Sequence, residues 1–374
     1  MYSKSLSLSF NGNSTINKNL SAKLNDAFKN NDASEFIKYA NKHFPSIKKD
    51  SPIITEQNSD NAEFPVSLVQ LNNRKPSLNN KISVNRDGHI QITENGTNLF
   101  ITKEELQESG MDAENAHIIG NGLRGFDPYN QEDWVKTNVG ALWPPAKDTR
   151  DLKGVAKPFV DKKNKAILFT SPNSVGEGYG VNPRGLAAIN TDSSVIVAYQ
   201  QTNNNPDIDF AAWSIAPFKV PERKRAFVIF PRFKEDDISN IKNDPQWKIK
   251  DNLILLDNSK EGKMNGFESK KADWAIFAVE GSGNAYLMRS IYKDKNSKDT
   301  KFKAFCIGGK NPKYVELEFM APKVKKGEKS TIVYKIEPIF LSNYNLEHFS
   351  ANKIEDESLK IAKELMSKLK YPDN

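Results

Sequence analysis

Residues 314–334 read YVELEFMAPKVKKGEKSTIVY: an apolar run that carries two glutamates, a basic turn, and a second apolar run. Successive side chains of a strand point to opposite faces. Tyr314, Glu316 and Glu318 therefore share one face, and Val315 and Leu317 share the other. This pattern predicts a strand with one face in a core, and the turn KKGEKS predicts an antiparallel hairpin to the strand that follows. The opposite face carries a tyrosine and two carboxylates, which suits either a solvated sheet surface or the floor of a polar cleft.

The same pattern of short apolar runs separated by turns extends over most of the 374 residues. Roughly fifteen short β-branched and aromatic runs are separated by Gly, Pro, Asn and Asp turns, as is typical of a sandwich or barrel. Turns such as NTDSS and EGSGN predict further antiparallel hairpins. This number of strands exceeds a simple immunoglobulin-like sandwich. The sequence therefore predicts a mainly β protein, a large antiparallel sandwich of two stacked sheets.

Helical patterns are confined to the two ends of the chain. Ile16, Leu20, Leu24 and Phe28 recur every fourth residue, which predicts an amphipathic helix in an N-terminal arm. A polar, proline-bounded linker follows, and residues 352–370 carry another apolar stripe at helical spacing. We predict a helical arm and linker over residues 1–60, a sandwich domain over 61–345, and a C-terminal helix packed on it over 346–374.

Composition excludes several classes of partner and cofactor. The formal charge of +7 comes from lysines scattered among acidic residues, without an arginine cluster interleaved with aromatics, so no nucleic-acid groove is expected. The four histidines and the single cysteine lack metal-ligand spacing, and no complete phosphate-binding loop is present, so no metal and no cofactor is expected. No apolar stretch is long enough to span a membrane. Because the first thirty residues lack the pattern of a secretory signal, we expect a cytoplasmic protein, or alternatively one exported without a cleaved signal.

The order of motifs resembles that of the galactose mutarotase-like (aldose 1-epimerase) superfamily, including its uncharacterised bacterial members. Leu317–Glu318, Pro322, Gly327–Glu328 and the strand STIVYKI match the C-terminal signature of that family. Residues 185–218 are similar to its central hairpin. In that hairpin one strand ends in a threonine–asparagine pair and the next follows a proline, and Thr202–Asn203 and Pro206 match these positions. Residues 263–279, KMNGFESKKADWAIFAV, are similar to a stretch in bacterial relatives. The likeness covers about residues 64–340.

The resemblance implies a β-supersandwich that binds a carbohydrate. In mutarotases a glutamate takes the proton of the anomeric hydroxyl and a histidine donates one to the ring oxygen. Glu318 is the residue that inherits the role of base. Adjacent Glu316 is a further candidate, because neighbouring carboxylates raise the pKa of at least one of them. The family histidine is replaced by Ala212–Trp213, and His117 is an alternative acid, or else a structural hydrogen bonder.

Other residues are candidates for substrate binding. Trp213 and Trp143 can stack on a sugar ring, although each can equally belong to the core. Arg184 can bind an acidic sugar substituent through two parallel hydrogen bonds. Lys263 can contact hydroxyl groups or remain a solvated surface residue. Tyr314 shares the face of the two glutamates.

Two functions remain open from the sequence. The first is a sugar epimerase or a related proton-transfer isomerase with Glu318 as general base. The second is a carbohydrate-binding or interaction protein without turnover, with a protein partner held through the N-terminal arm. A bacterial effector injected without a cleaved signal is a further alternative, indicated by the acidic run IEDES before the C-terminal helix.

Overall fold

The computed structural model describes residues 14–46, 80–84, 90–94, 96–101, 105, 157–170, 181–204, 212–260, 266–280, 284–292, 301–307, 313–322, 324–340, 358–360 and 362–363. The two helices of the N-terminal arm are α1 (Ser14–Asn30) and α2 (Ser34–His43). Within these ranges seventeen strands follow: β1 (Asn80–Val84), β2 (Ile90–Glu94), β3 (Thr97–Asn98), β4 (Lys157–Asp161), β5 (Ala166–Thr170), β6 (Val181–Ile189), β7 (Val195–Asn203), β8 (Trp213–Val220), β9 (Ala226–Pro231), β10 (Trp247–Lys250), β11 (Leu253–Asp257), β12 (Phe267–Ser269), β13 (Trp274–Val279), β14 (Asn284–Ser290), β15 (Lys301–Ile307), β16 (Lys313–Met320) and β17 (Lys329–Phe340). Residues 358–360 and 362–363 are helical.

The strands of the described residues form three antiparallel sheets. The largest has ten strands in the order β10-β11-β9-β13-β14-β17-β7-β6-β5-β4, and a four-stranded sheet has the order β12-β15-β16-β8. The third sheet, β1-β2-β3, has three strands. Residues 99–101 continue the four-stranded sheet beside β8, because the Ile101 N–H donates to the Pro217 carbonyl over 2.9 Å and the Lys219 N–H donates to the Leu99 carbonyl over 3.0 Å.

The main core lies between the ten-stranded and the four-stranded sheets. It includes Val315, Leu317 and Phe319 from β16 and Tyr199 and Tyr334 from the large sheet, all of them almost fully buried. Aromatic rings meet across this layer, for example Phe319 and Tyr334 with their ring centroids 5.6 Å apart. The predicted mainly β architecture of stacked antiparallel sheets is confirmed.

The hairpin predictions had different outcomes. The turns NTDSS and EGSGN do join neighbouring antiparallel strands, β6 to β7 and β13 to β14. The predicted hairpin at KKGEKS is wrong, because β16 pairs with β15 and β8 whereas β17 pairs with β14 and β7. That turn instead crosses from one sheet of the sandwich to the other. Gly327 takes a φ of 83° there, a conformation that glycine adopts without a steric penalty.

Helices cover the outer face of the ten-stranded sheet, which points away from the main core. Leu20, Leu24 and Phe28 of α1 and Phe36 of α2 pack on β5, β6, β7 and β17. Leu359 and Ala362 of the C-terminal helical residues pack on the other half of the same face, against β9, β11, β13 and β14. Leu20, Leu24 and Phe28 of the first apolar stripe and Leu359 and Ala362 of the second therefore face this sheet. The predicted boundaries at residues 60 and 345 lie outside the described residues and stay predictions.

The described part of the chain contains no helix long and apolar enough to cross a membrane.

Candidate functional site

The glutamates of β16 lie on the outer face of the four-stranded sheet. Their neighbours Val315 and Leu317 point into the main core, so alternation turns Glu316 and Glu318 away from it. Both glutamates are nevertheless buried, with 2% and 5% of their surface exposed. The alternative that they lie on a solvated sheet surface is therefore wrong. Tyr314 and Met320, on the same face of the strand, are each 1% exposed.

A row of charged residues crosses this face. Glu318 of β16 lies opposite Lys303 of β15, which lies opposite Glu268 of β12. The Lys303 ammonium is 3.7 Å from a Glu268 carboxylate oxygen, and Lys301, two residues earlier, is 2.8 Å from the other oxygen. Directly opposite residues on a sheet share a face, so Lys303 stands between two carboxylates. The row therefore alternates negative, positive and negative charge across three strands.

Glu316 has a less polar setting than Glu318. Its partners across the sheet are Phe305 and Pro217, and in the described part of the chain its Oε1 atom accepts no hydrogen bond. Burial raises the pKa of Glu316 well above its ordinary value, and the neighbouring charge of Glu318 raises it further, whereas Lys303 acts in the opposite sense. Glu316 thus keeps its proton to a higher pH than an ordinary glutamate. The strand thus places a carboxyl group with a raised pKa two residues from a carboxylate that lies opposite Lys303.

On the side of β16 away from β15, the face continues onto β8. Lys219 lies opposite Tyr314, and its ammonium pairs with the Glu105 carboxylate. The backbone of Trp213 lies opposite Met320, at the end of the face that is nearest Glu318. The strand register thus places the Trp213 backbone two residues along β16 from Glu318, and the predicted role of its side chain stays a prediction.

The remaining predicted site residues do not extend this face. Arg184 lies on β6 of the ten-stranded sheet, on the outer face that α1 covers, since Leu186 and Ala188 of the same strand face pack against the arm. The structure therefore does not bring Arg184 together with the glutamates. His117, Trp143 and Lys263 lie outside the described residues, and their predicted roles stay predictions.

Sequence reasoning missed Lys303, Lys301 and Glu268. The signal for the two lysines was present, because alternation in KFKAFCI places Lys301 and Lys303 on one strand face with Phe302 on the other. What the sequence could not provide was the pairing of β15 with β16 and β12, which sets these charges beside Glu318. Among the described residues, no cluster of three or more His, Cys, Asp and Glu side chains is placed to hold a metal ion.

No family model matches this chain, and no curated protein matches its sequence. Among solved structures it is similar to the heparan sulfate lyase HepC from Pedobacter heparinus, with a TM-score of 0.33 and 9% identity over 87% of this chain and 42% of the lyase. It is also similar to a GalM/aldose epimerase homologue from C. elegans, with a TM-score of 0.39 and 10% identity over 71% of this chain and 99% of the homologue. The chain thus spans less than half of the length of the lyase. At such low TM-scores neither likeness carries an argument about activity.

Proposed function

We propose that the chain binds a carbohydrate at the outer face of the four-stranded sheet and exchanges protons with it through Glu318 and Glu316. The observation that carries this proposal is the pair of buried carboxyl groups with unlike surroundings. Glu318 lies opposite an ammonium group, whereas Glu316 lies opposite a phenylalanine and a proline. Paired carboxyl groups whose environments differ in this way suit one base and one acid.

The two groups have complementary roles in the opening of a sugar ring. Glu318 accepts the proton of the anomeric hydroxyl, and its negative charge is stabilised by Lys303 on the neighbouring strand. Protonated Glu316 donates its proton to the ring oxygen as the bond between that oxygen and the anomeric carbon breaks. The anomeric carbon becomes the carbonyl carbon of the open-chain sugar, and closure on its other face returns both protons. Glu316 would thus supply the acid for which the sequence offered only His117.

The spacing of the two residues along the strand is compatible with one ligand between them. Alternate residues of a strand are about 7 Å apart along its axis. Two side chains that rise from one face at this spacing can converge on neighbouring oxygens of a single ring. Tyr314, on the same face, adds a ring next to Glu316.

The test is the rate at which α and β anomers of aldoses and uronic acids interconvert, followed by polarimetry and by exchange NMR. We expect Glu318→Gln and Glu316→Gln each to lower the rate by about a hundredfold or more, the typical contribution of one general acid or base. Binding of the sugar by calorimetry should change much less, because glutamine keeps the shape of the side chain. Glu222→Gln, an exposed carboxylate with 69% of its side chain accessible, is the matched control and should leave both measurements unchanged.

The replacement of the family histidine by Ala212–Trp213 favours a second candidate, carbohydrate binding without turnover. The same experiment separates the two functions. Saturable sugar binding that Glu316→Gln and Glu318→Gln weaken, without accelerated anomer exchange in the unmodified chain, would establish binding alone. The absence of both binding and exchange for neutral and acidic sugars would contradict the carbohydrate proposal.

A further inference from the structure

We propose that Arg184 and Lys329 form an oxyanion-binding site on the outer face of the ten-stranded sheet, beside helix α1. The ligand class is a carboxylate or phosphate group of a small solute. The site lies on the opposite side of the sandwich from Glu316 and Glu318, so the proposal does not depend on the function proposed above.

The two cations meet at one neutral acceptor. The Oδ1 atom of Asn25 in α1 accepts hydrogen bonds from Arg184 Nη2 over 2.5 Å and from Lys329 Nζ over 3.0 Å. Arg184 comes from β6 and Lys329 from β17, two strands that β7 separates in the sheet. Three elements distant in the sequence thus hold two positive charges within a few ångströms of each other.

The hydrogen-bond partners of this pair among the described residues are neutral. Arg184 Nε donates to Gln200 Oε1 over 2.9 Å, and Gln200 in turn donates to the Thr331 hydroxyl over 2.9 Å. The guanidinium carbon of Arg184 lies 4.5 Å from the centre of the Phe28 ring. Within the described ranges, neither cation forms an ion pair with a carboxylate. Glu328, adjacent to Lys329 in the chain, accepts the Lys325 N–H over 2.8 Å within the turn.

Among the described residues, the electrostatic consequence is a site that holds two like charges. Burial lowers the pKa of Lys329, and the neighbouring Arg184 lowers it further. Burial also lowers the pKa of Arg184. Two like charges that share a neutral amide oxygen repel each other, and an anion between them removes that repulsion.

The donors needed for an oxyanion are present. Arg184 donates to Gln200 and Asn25 through Nε and Nη2, and Lys329 is exposed, so its ammonium group can donate further hydrogen bonds. A guanidinium and an ammonium group together suit carboxylate or phosphate oxygens. Ordinary surface lysines lack the partly buried arginine that fixes one side of the site. The combination distinguishes it from a diffuse patch of charge.

The test is a titration of the full chain with inorganic phosphate and, separately, with acetate, at constant ionic strength set with chloride. Binding is followed by the amide chemical shifts of α1 and β17 and by calorimetry. We expect saturable binding of at least one anion, weakened at least threefold by Lys329→Gln and also by Arg184→Lys. The anion that binds more tightly identifies the ligand group as phosphate or carboxylate.

Lys242→Gln is the matched control, because it removes one exposed positive charge far along the chain from the site. It should leave both titrations unchanged. Lys329 is exposed, so Lys329→Gln decides the test even if Arg184→Lys folds less stably. Absence of saturable binding for both anions, or an equal loss in Lys329→Gln and Lys242→Gln, would overturn the proposal.

Discussion

Arg289 of β14 and Glu337 of β17 form an ion pair on the outer face of the ten-stranded sheet, with 1% and 4% of their side chains exposed. Arg289 Nη2 also donates to the Pro45 carbonyl over 2.5 Å and to the Phe44 carbonyl over 3.4 Å. The pair therefore joins two strands of the sheet to the residues that follow α2. A buried charge with its partner removed is strongly destabilising.

Replacement of one member of this pair should cost far more than replacement of both. We expect Glu337→Gln to lower the free energy of unfolding by about 3–5 kcal/mol, because Arg289 is then left as a buried charge without its counter-ion. The double replacement Arg289→Met with Glu337→Leu should lose much less. Urea denaturation measures both. Glu35→Gln, in the exposed pair with Lys23, serves as control and should change stability by about 1 kcal/mol at most.

Lys335 gives a pH dependence of stability with a defined sign. Its side chain is fully buried, and its ammonium group donates to the Phe44 carbonyl over 3.1 Å and to the Ser46 hydroxyl over 2.8 Å. Burial lowers the pKa of Lys335 from 10.5 to about 8, with Glu337 and Asp192 acting against that shift and Arg289 with it. Between about pH 8 and 10.5 the unfolded chain binds more protons at this residue than the folded one, so its contribution to stability rises with pH.

The size of this rise is about 3 kcal/mol, because one pKa unit corresponds to about 1.4 kcal/mol. The measurement compares urea denaturation of the wild type and Lys335→Met at pH values below 8 and near 10. The variant should lack this part of the pH dependence, whatever its stability at neutral pH. Parallel pH profiles for the two proteins would contradict the prediction.

Glu316 should have the opposite pH dependence. Its folded pKa is raised above the ordinary 4.5, first by burial and then by Glu318. Above pH 4.5 the folded chain therefore binds more protons at this residue than the unfolded one, and its contribution to stability falls as the pH rises through the folded pKa. Glu316→Gln removes this loss, so the variant should gain stability over the wild type as the pH rises from 4.5. Thermal unfolding across this range tests it, and a constant difference at every pH would count against the buried acid.

Phe36 anchors the helical arm to the sheet. The side chain is fully buried in the cluster formed by α1, α2 and the outer face of the ten-stranded sheet. Phe36→Ala should cost about 3–5 kcal/mol of local or global stability, the usual loss for a buried phenylalanine. Hydrogen exchange of the α1 and α2 amides should accelerate. Lys38→Ala, with 79% of its side chain exposed on the same helix, should leave these exchange rates nearly unchanged.

Local patterns predicted several elements of this protein correctly. The fourfold spacing of Leu20, Leu24 and Phe28 places them on one helix face, and all three pack on the sheet. Alternation along β16 separates Val315 and Leu317 from the two glutamates. These predictions hold because side-chain direction depends on the local backbone alone.

Only part of the candidate site could be predicted from the sequence. The shared face of Glu316 and Glu318 follows from their spacing, but Lys303 and Glu268 come beside Glu318 through the pairing of β15 with β16 and β12. Arg184, which sequence reasoning placed with the glutamates, lies on the other sheet. Nothing in the spacing of Arg184 along the chain indicates which sheet its strand joins.

By itself, the sequence determined the fourfold helical spacing along α1 and the alternation of faces along β16, because periodicity is a property of a single segment. Only the tertiary structure decided that β16 and β17 belong to different sheets, that the glutamates are buried, and that Arg184 meets Lys329 and Asn25. The physical reason is that strand partners and layer contacts depend on hydrogen bonds and burial between segments far apart in the chain. A turn such as KKGEKS can join strands within one sheet or carry the chain from one sheet to the next.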